Sequence, residues 1–240
     1  MLEVSGIRKT YGNLTAVDDV SFEIGAREIV GLIGPNGAGK TTLFNTITGI
    51  NDPDEGTVLL GSEPLTGKRP NEICHRGVVR TFQVVRTFQD STVFENVLTG
   101  AVFGTGESRS MAEAREAAHD ALSFVGMEAE ADTEASELTI ADQKHIELAR
   151  GLACDPDLMM LDEIGSGLTP AELSELTDTI ERLRDDRDVS VFWIEHVMDA
   201  ILGSTDRVLV LNEGQLIAEG TPEEIETDER VAEAYLGGVT

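Results

Sequence analysis

Nine residues, Gly34-Pro35-Asn36-Gly37-Ala38-Gly39-Lys40-Thr41-Thr42, constrain this chain more than any other stretch. They follow an apolar run, Ile29-Val30-Gly31-Leu32-Ile33, and open a segment, 41–50, that reads as a helix. That is the order of strand, glycine loop and helix that a phosphate-binding loop requires. Glycines at 34, 37 and 39 let the loop curl until successive backbone N–H groups point at phosphate oxygens. The following helix adds its positive N-terminal end and its unpaired donors. Lys40 then reaches the β- and γ-phosphates and the Thr41 hydroxyl is placed to ligate Mg²⁺. The pattern predicts a site for a nucleoside triphosphate.

Composition narrows the partners. With 45 acidic and 18 basic residues the formal net charge is -27, and lysine occurs only at Lys9, Lys40, Lys68 and Lys144. Nucleic acid is a poor partner for such a chain, because phosphate backbones need a basic face. Disorder is equally poor as an explanation, since 40% of the residues are hydrophobic and the periodic segments are clear. The acidity suggests a surface adapted to high salt. Cys74 and Cys154 lie far apart without C-x-x-C spacing, so neither a disulfide frame nor a zinc site is expected, and Cys74-His75 lacks a second ligand pair. Nothing resembles a signal peptide, and no apolar run approaches the ~20 residues that span a bilayer. A soluble protein is expected, able to sit on a membrane protein.

Taken in order, residues 2–4 and 20–24 read as strands around a turn at Tyr11-Gly12-Asn13, which exposes Tyr11 for stacking on a nucleotide base. A turn at 51–56 leads into a strand at 57–60, and Gly77-Val78-Val79-Arg80-Thr81-Phe82-Gln83 is a strand ending in an amide. Arg-Thr-Phe-Gln recurs at 86–89, so Gln83 and Gln89 compete for any glutamine role. Residues 91–150 change character to small and charged. Helical spacing there places Met111, Ala114, Ala118, Ala121, Leu122 and Val125 on one face, and residues 104–106 and 128–137 read as loops. Thr139 is the expected N-cap of a second helix that ends before Pro156. Leu158-Met159-Met160-Leu161-Asp162-Glu163 is an apolar strand ending in two carboxylates. Beside a phosphate loop, Asp162 would hold Mg²⁺ through water and Glu163 would polarise the water attacking the γ-phosphate. A helix from Thr169 or Pro170, a buried strand at 189–194 ending in Glu195-His196, and a hairpin around Asn212-Glu213-Gly214 follow. His196, at the end of a core strand, is placed to contact the γ-phosphate. Residues 221–237 read as a short acidic helical tail.

With these elements in this order, the chain resembles the ATPase subunit of an ATP-binding-cassette transporter over nearly its whole length. It is most similar to the importers of branched-chain amino acids, through Arg80-Thr81-Phe82-Gln83 with Thr92-Val93-Phe94-Glu95-Asn96-Val97, Leu161-Asp162-Glu163 with Gly167-Leu168-Thr169-Pro170, and Ile217-Ala218-Glu219-Gly220-Thr221-Pro222 with Ala234-Tyr235-Leu236-Gly237. The resemblance implies an α/β fold: a P-loop NTPase (RecA-like) parallel-sheet core with an antiparallel β subdomain and an inserted α-helical subdomain. It implies one domain, 1–240, with a nucleotide-binding core at 1–83 and 151–240 and a helical insert at 84–150. Tyr11 would stack on adenine, Gln83 rather than Gln89 would link Mg²⁺ and the attacking water to the membrane domain, and His196 would be the switch histidine. Gly167, Leu168 and Thr169 would cross to a second subunit.

One motif departs. The family's Leu-Ser-Gly-Gly-Gln segment, which caps the γ-phosphate held by the partner subunit, aligns with Leu138-Thr139-Ile140-Ala141-Asp142. Thr139 keeps a hydroxyl. Ile140 and Ala141 restrict the backbone and bring Cβ atoms toward the phosphate, and Asp142 adds a negative charge. The resemblance further implies ATP and Mg²⁺ as ligands and integral-membrane permease subunits as partners. A second cassette, giving a heterodimer with a homodimer as the alternative, and an external solute-binding protein complete the assembly, which lies on the cytoplasmic face of the membrane. Two other functions compete: a nucleotide-binding regulatory protein with little turnover, and a cassette acting on DNA or ribosomes.

Overall fold

The computed structural model describes residues 1–81, 86–106 and 108–236. In chain order these form β1 (Leu2–Tyr11), β2 (Leu14–Ile24), β3 (Ile29–Ile33), α1 (Lys40–Ile47), β4 (Glu55–Leu60), β5 (Glu63–Pro64), α2 (Pro70–Cys74), β6 (Val78–Arg80), α3 (Val93–Phe103), α4 (Met111–Phe124) and α5 (Ile140–Leu152). There follow β7 (Leu158–Asp162), α6 (Pro170–Arg187), β8 (Ser190–Ile194), α7 (Met198–Ser204), β9 (Arg207–Asn212), β10 (Gln215–Gly220), α8 (Pro222–Glu226) and α9 (Glu229–Leu236).

Two sheets result. One has the order β2-β1-β4-β5 and is antiparallel; the other runs β10-β9-β3-β8-β7-β6, parallel except at its β10 edge. Strands β3, β7 and β8 are buried at every position, as a parallel sheet covered on both faces demands. Alternation along each strand sorts its side chains into two cores. Val30, Leu32, Leu158, Met160, Phe192 and Ile194 face the antiparallel sheet and α1, where Phe192 lies 5.2 Å from Phe22 and 4.9 Å from Phe44 between ring centroids. Ile29, Ile33, Met159, Leu161, Val191 and Trp193 face the opposite side, against Leu176, Ile180 and Leu183 of α6 and Ile201 of α7. A third core, built on α3, α4 and α5, joins Val93, Val97, Ala118, Leu122 and Ile146. The expected α/β architecture with a helical insertion is therefore present.

Details differ from the sequence expectations. β1 and β2 are long ribbons with register shifts rather than short strands. The helix expected at 41–50 ends at Ile47. Met111, expected on the buried face of α4, is 55% exposed, because the first residue of a helix lies beyond the end of the packed stripe. Cys74 and Cys154, remote in sequence, line one cavity as free thiols. The neighbouring Cys154 side chain lowers the pKa of the Cys74 thiol, and the same neighbour together with burial pushes Cys154 up. Among the described residues no group of three or more His, Cys, Asp or Glu could hold a metal, and no helix is long and apolar enough to cross a membrane.

Candidate nucleotide site

Parallel strands deliver the chemistry to one edge. β3, β7 and β8 are neighbours in register, with Leu32 opposite Ile194 and Asp162 opposite Ile194. The residues that follow their carboxyl ends, Gly34, Glu163 and Glu195-His196, therefore emerge side by side, where ligands of α/β sheets bind. The loop between β3 and α1 fits only because of its glycines. Gly39 has φ +107°, and a Cβ there would lie 2.3 Å from the Ala16 carbonyl oxygen; one at Gly34 would lie 2.0 Å from that of Leu211. The β9–β10 turn braces the loop, with the Gly214 N–H donating to the Ala38 carbonyl at 2.9 Å. Gly39 caps α1 without a side chain, so the first-turn amides of α1 have no capping side chain.

A cleft of about 610 Å³ results, lined by Tyr11, Leu14, Thr15, Ala16, Asn36, Gly37, Ala38, Gly39, Lys40, Thr41, Thr42, Glu163, Glu213 and Gly214. Lys40 is buried, and its Nζ donates to the carbonyls of Gly34 at 2.7 Å and Pro35 at 3.3 Å. Burial lowers the Lys40 pKa, opposed by the nearby carboxylates of Glu163 and Asp162. Tyr11 is 47% exposed at the cleft's rim, its hydroxyl accepting from Asn51 Nδ2 at 2.7 Å. Glu163 has φ +50°, rare for a residue with a side chain, and its Oε1 lies 2.6 Å from His196 Nε2. Its backbone N–H donates to Ile194 at 2.8 Å, which fixes the chain as it leaves β7.

Asp162 is almost fully enclosed and carries a partner that sequence reasoning missed. Arg80 Nη2 donates to Asp162 Oδ2 at 2.6 Å, while Nη1 donates to Asn45 Oδ1 at 2.6 Å and Thr48 Oγ1 at 3.3 Å. Both side chains of the pair are 6% exposed. The signal was an arginine inside an apolar strand, since a cation there needs a partner. Thr41, on the exposed first turn of α1, and the carboxylates of Asp162 and Glu163 are hard oxygen donors, the set Mg²⁺ takes with water and phosphate oxygens. Gln83 lies outside the described residues. Gln89 lies within them, and its Nε2 donates to Gln143 Oε1 at 3.1 Å on the helical insert, away from the cleft.

The segment Leu138 to Asp142 stands apart from this cleft, at the start of α5. Thr139 Oγ1 accepts from the Asp142 N–H at 3.2 Å and donates to Asp142 Oδ2 at 2.7 Å, and the same carboxylate accepts from the Thr139 N–H. Asp142 thus completes a capping box, so its departure from the expected glutamine has a local reason. Ile140 is 58% exposed beside it.

Comparison with known proteins places the chain in a family. Residues 17–166 match the ABC transporter family, and residues 215–239 match the family described as branched-chain amino acid ATP-binding cassette transporter. The high-affinity branched-chain amino acid transport ATP-binding protein LivG of Salmonella typhimurium is 42% identical, covering 99% of this chain and 98% of that protein. The corresponding protein BraF of Pseudomonas aeruginosa is 39% identical, with the same coverage. Among solved structures, the ADP conformation of MJ1267, an ATP-binding cassette of an ABC transporter, superposes with a TM-score of 0.89 at 31% identity, covering 99% of this chain and 98% of that one. The chain belongs to the ABC transporter family, whose cassettes hydrolyse ATP to power transport.

Proposed function

We propose that this chain is the ATP-hydrolysing subunit of a membrane importer for branched-chain amino acids. The observation that carries the hydrolytic part is the placement of Glu163, in hydrogen-bond contact with His196, at the wall of the same cleft that Lys40 and the glycine loop form. The solute class is supported by the full-length likeness to LivG and BraF and by the C-terminal match.

The loop amides of residues 34 and 36–39 and the first turn of α1, Lys40 to Thr42, hold the β- and γ-phosphates with Pro35 shaping the loop, and Lys40, with two of its three N–H groups on loop carbonyls, offers the third. Tyr11 covers the adenine face. Glu163 accepts the proton of the attacking water, and His196 holds the Glu163 carboxylate in place and meets the γ-phosphate. Mg²⁺, held by Thr41 with Asp162 and Gln83, would neutralise charge on the phosphates. Phosphoryl transfer to water then needs positioning and charge stabilisation, with no covalent intermediate on the protein. Leu138, Thr139, Ile140, Ala141 and Asp142 cap the nucleotide of a second cassette, preferentially a different chain. The core at 1–83 and 151–240 hydrolyses, and the insert at 84–150 signals to the permease on the cytoplasmic face of the membrane.

Replacing Glu163 by Gln removes the proton acceptor while keeping the side chain's shape. Mg-ATP is then expected to remain bound and hold two cassettes together. Light scattering of Glu163→Gln in molar KCl, with and without Mg-ATP, reads this directly. A doubling of molar mass supports closure on a second copy. Unchanged mass with ATP bound rules out self-sufficient closure and directs the search to a different cassette as partner. Failure to bind ATP overturns the proposal.

A further inference from the structure

Behind the cleft, a second set of charged groups is buried that the hydrolytic reading does not use. Lys144, on the second turn of α5, is 2% exposed, and Glu195, directly after β8, is 3% exposed. A cation so enclosed needs acceptors in place of water. Lys144 Nζ donates to the backbone carbonyl of Ile164, the residue that follows Glu163. Glu195 grips the next residue: its Oε1 accepts from the Gly165 N–H at 2.6 Å, and its Oε2 accepts from the His196 N–H at 2.9 Å. The fit is tight, because a Cβ on Gly165 would lie 2.3 Å from Glu195 Oε1. Burial lowers the Lys144 pKa and raises that of Glu195, and the attraction between the two groups opposes both shifts.

These contacts converge on a strained point. Glu163 holds φ +50°, a conformation that persists only where its surroundings over-determine it. One constraint is the Glu163 N–H bond to Ile194. The peptide unit joining Ile164 to Gly165 is held from both sides, its C=O by Lys144 and its N–H by Glu195, and the same Glu195 fixes the backbone of His196, whose ring meets Glu163. We infer that Lys144 and Glu195 form a buried clamp that sets the position of Glu163 against His196, which makes both of them positioning residues for ATP hydrolysis. The clamp rests on the assignment of Glu163 as proton acceptor. It also ties that residue to α5, the helix whose N-terminus carries Thr139.

Lys144→Met removes the donors at nearly constant length, Lys144→Arg keeps charge and donors, and Glu195→Gln keeps one acceptor and loses the other. A displaced proton acceptor lowers turnover without weakening binding, so kcat of Lys144→Met is expected to fall about ten- to a hundredfold. KM for ATP should stay within about twofold. Lys144→Arg should recover most of the loss, and Glu195→Gln should share it. Hydrogen exchange gives a readout independent of turnover: the amides of 164–166 and His196 should exchange faster in Lys144→Met and Glu195→Gln, with α6 and β3 unchanged. Wild-type kcat in Lys144→Met, or a loss of protection spread over the whole of α5 and the core, overturns the clamp. Should Lys144→Met fail to fold, Lys144→Arg and Glu195→Gln carry the same test. A wild-type protein that binds Mg-ATP without turnover would instead count against the hydrolytic assignment, and exchange would still decide the clamp.

Discussion

Arg80 and Asp162 meet across 82 residues of chain because β6 and β7 are neighbours, with Arg80 opposite Met160 in the register. Two enclosed charges at 2.6 Å compensate each other, but neither is tolerated alone. Arg80→Met should therefore destabilise the nucleotide-free protein by about 3–5 kcal/mol, seen as a lower denaturant midpoint at unchanged slope. A loss below about 1 kcal/mol, the worth of an exposed pair, would show that Asp162 is solvated after all. Here lies the limit of what the sequence discloses about the site. Lys40, Asp162 and Glu163 are legible because local pattern carries them: a loop between strand and helix, and a strand ending in carboxylates. Arg80, Lys144 and Glu195 are not, since each acquires its meaning from a partner that only the sheet order and helix packing bring near.

At the scale of elements, the acidic composition has a local use. Thr92 with Glu95, Ser110 with Glu113, Thr139 with Asp142, Thr169 with Glu172 and Thr221 with Glu224 all form reciprocal capping boxes. For α5 the box holds the end that presents Ile140 to solvent. Thr139→Ala should cost about 1 kcal/mol of stability, while Thr139→Ser, which keeps the acceptor, should cost only a few tenths. Thermal midpoints of the two variants test this, and equal losses would count against capping. Helix α5 was legible from its cap and from the proline beyond it, whereas α3 was not. Its sequence, Val-Phe-Glu-Asn-Val-Leu-Thr-Gly-Ala-Val-Phe, is rich in residues that favour strands. It is helical because Thr92 and Glu95 cap it and because Val93, Val97 and Ala101, four residues apart, enter the third core. Gly100 completes the fit, since a Cβ there would lie 2.1 Å from the Arg150 carbonyl oxygen of α5. That complementarity resides in the partner helix and is invisible in the segment itself.

Over the whole molecule, 45 carboxylates face 18 cations, so one-to-one pairing would leave most acidic side chains without a cation. Several arginines are committed to more than one carboxylate oxygen: Arg187 donates twice to Asp120, Arg207 reaches Glu28 and Glu219, and Arg184 holds Asp185 and Asp206. What remains is mutual repulsion among surface carboxylates, which compactness intensifies and unfolding relieves. Its range is set by the Debye length, about 10 Å at 0.1 M salt and about 3 Å at 1 M. Stability should therefore climb steeply as KCl rises from low concentration and flatten near about 1 M, where repulsion beyond a neighbouring side chain is already screened. At roughly 2–4 °C per kcal/mol for a chain of this size, a relief of a few kcal/mol moves the thermal midpoint by about 10 °C. Scanning calorimetry in KCl and in potassium sulfate at matched ionic strength separates the causes. Coincident curves that flatten together identify screening, whereas a continued rise in sulfate alone identifies exclusion of that ion from the surface, which acts on apolar burial. A midpoint independent of salt between low and molar KCl would show that the unpaired carboxylates lie too far apart to repel, and that the acidic surface owes nothing to high-salt adaptation.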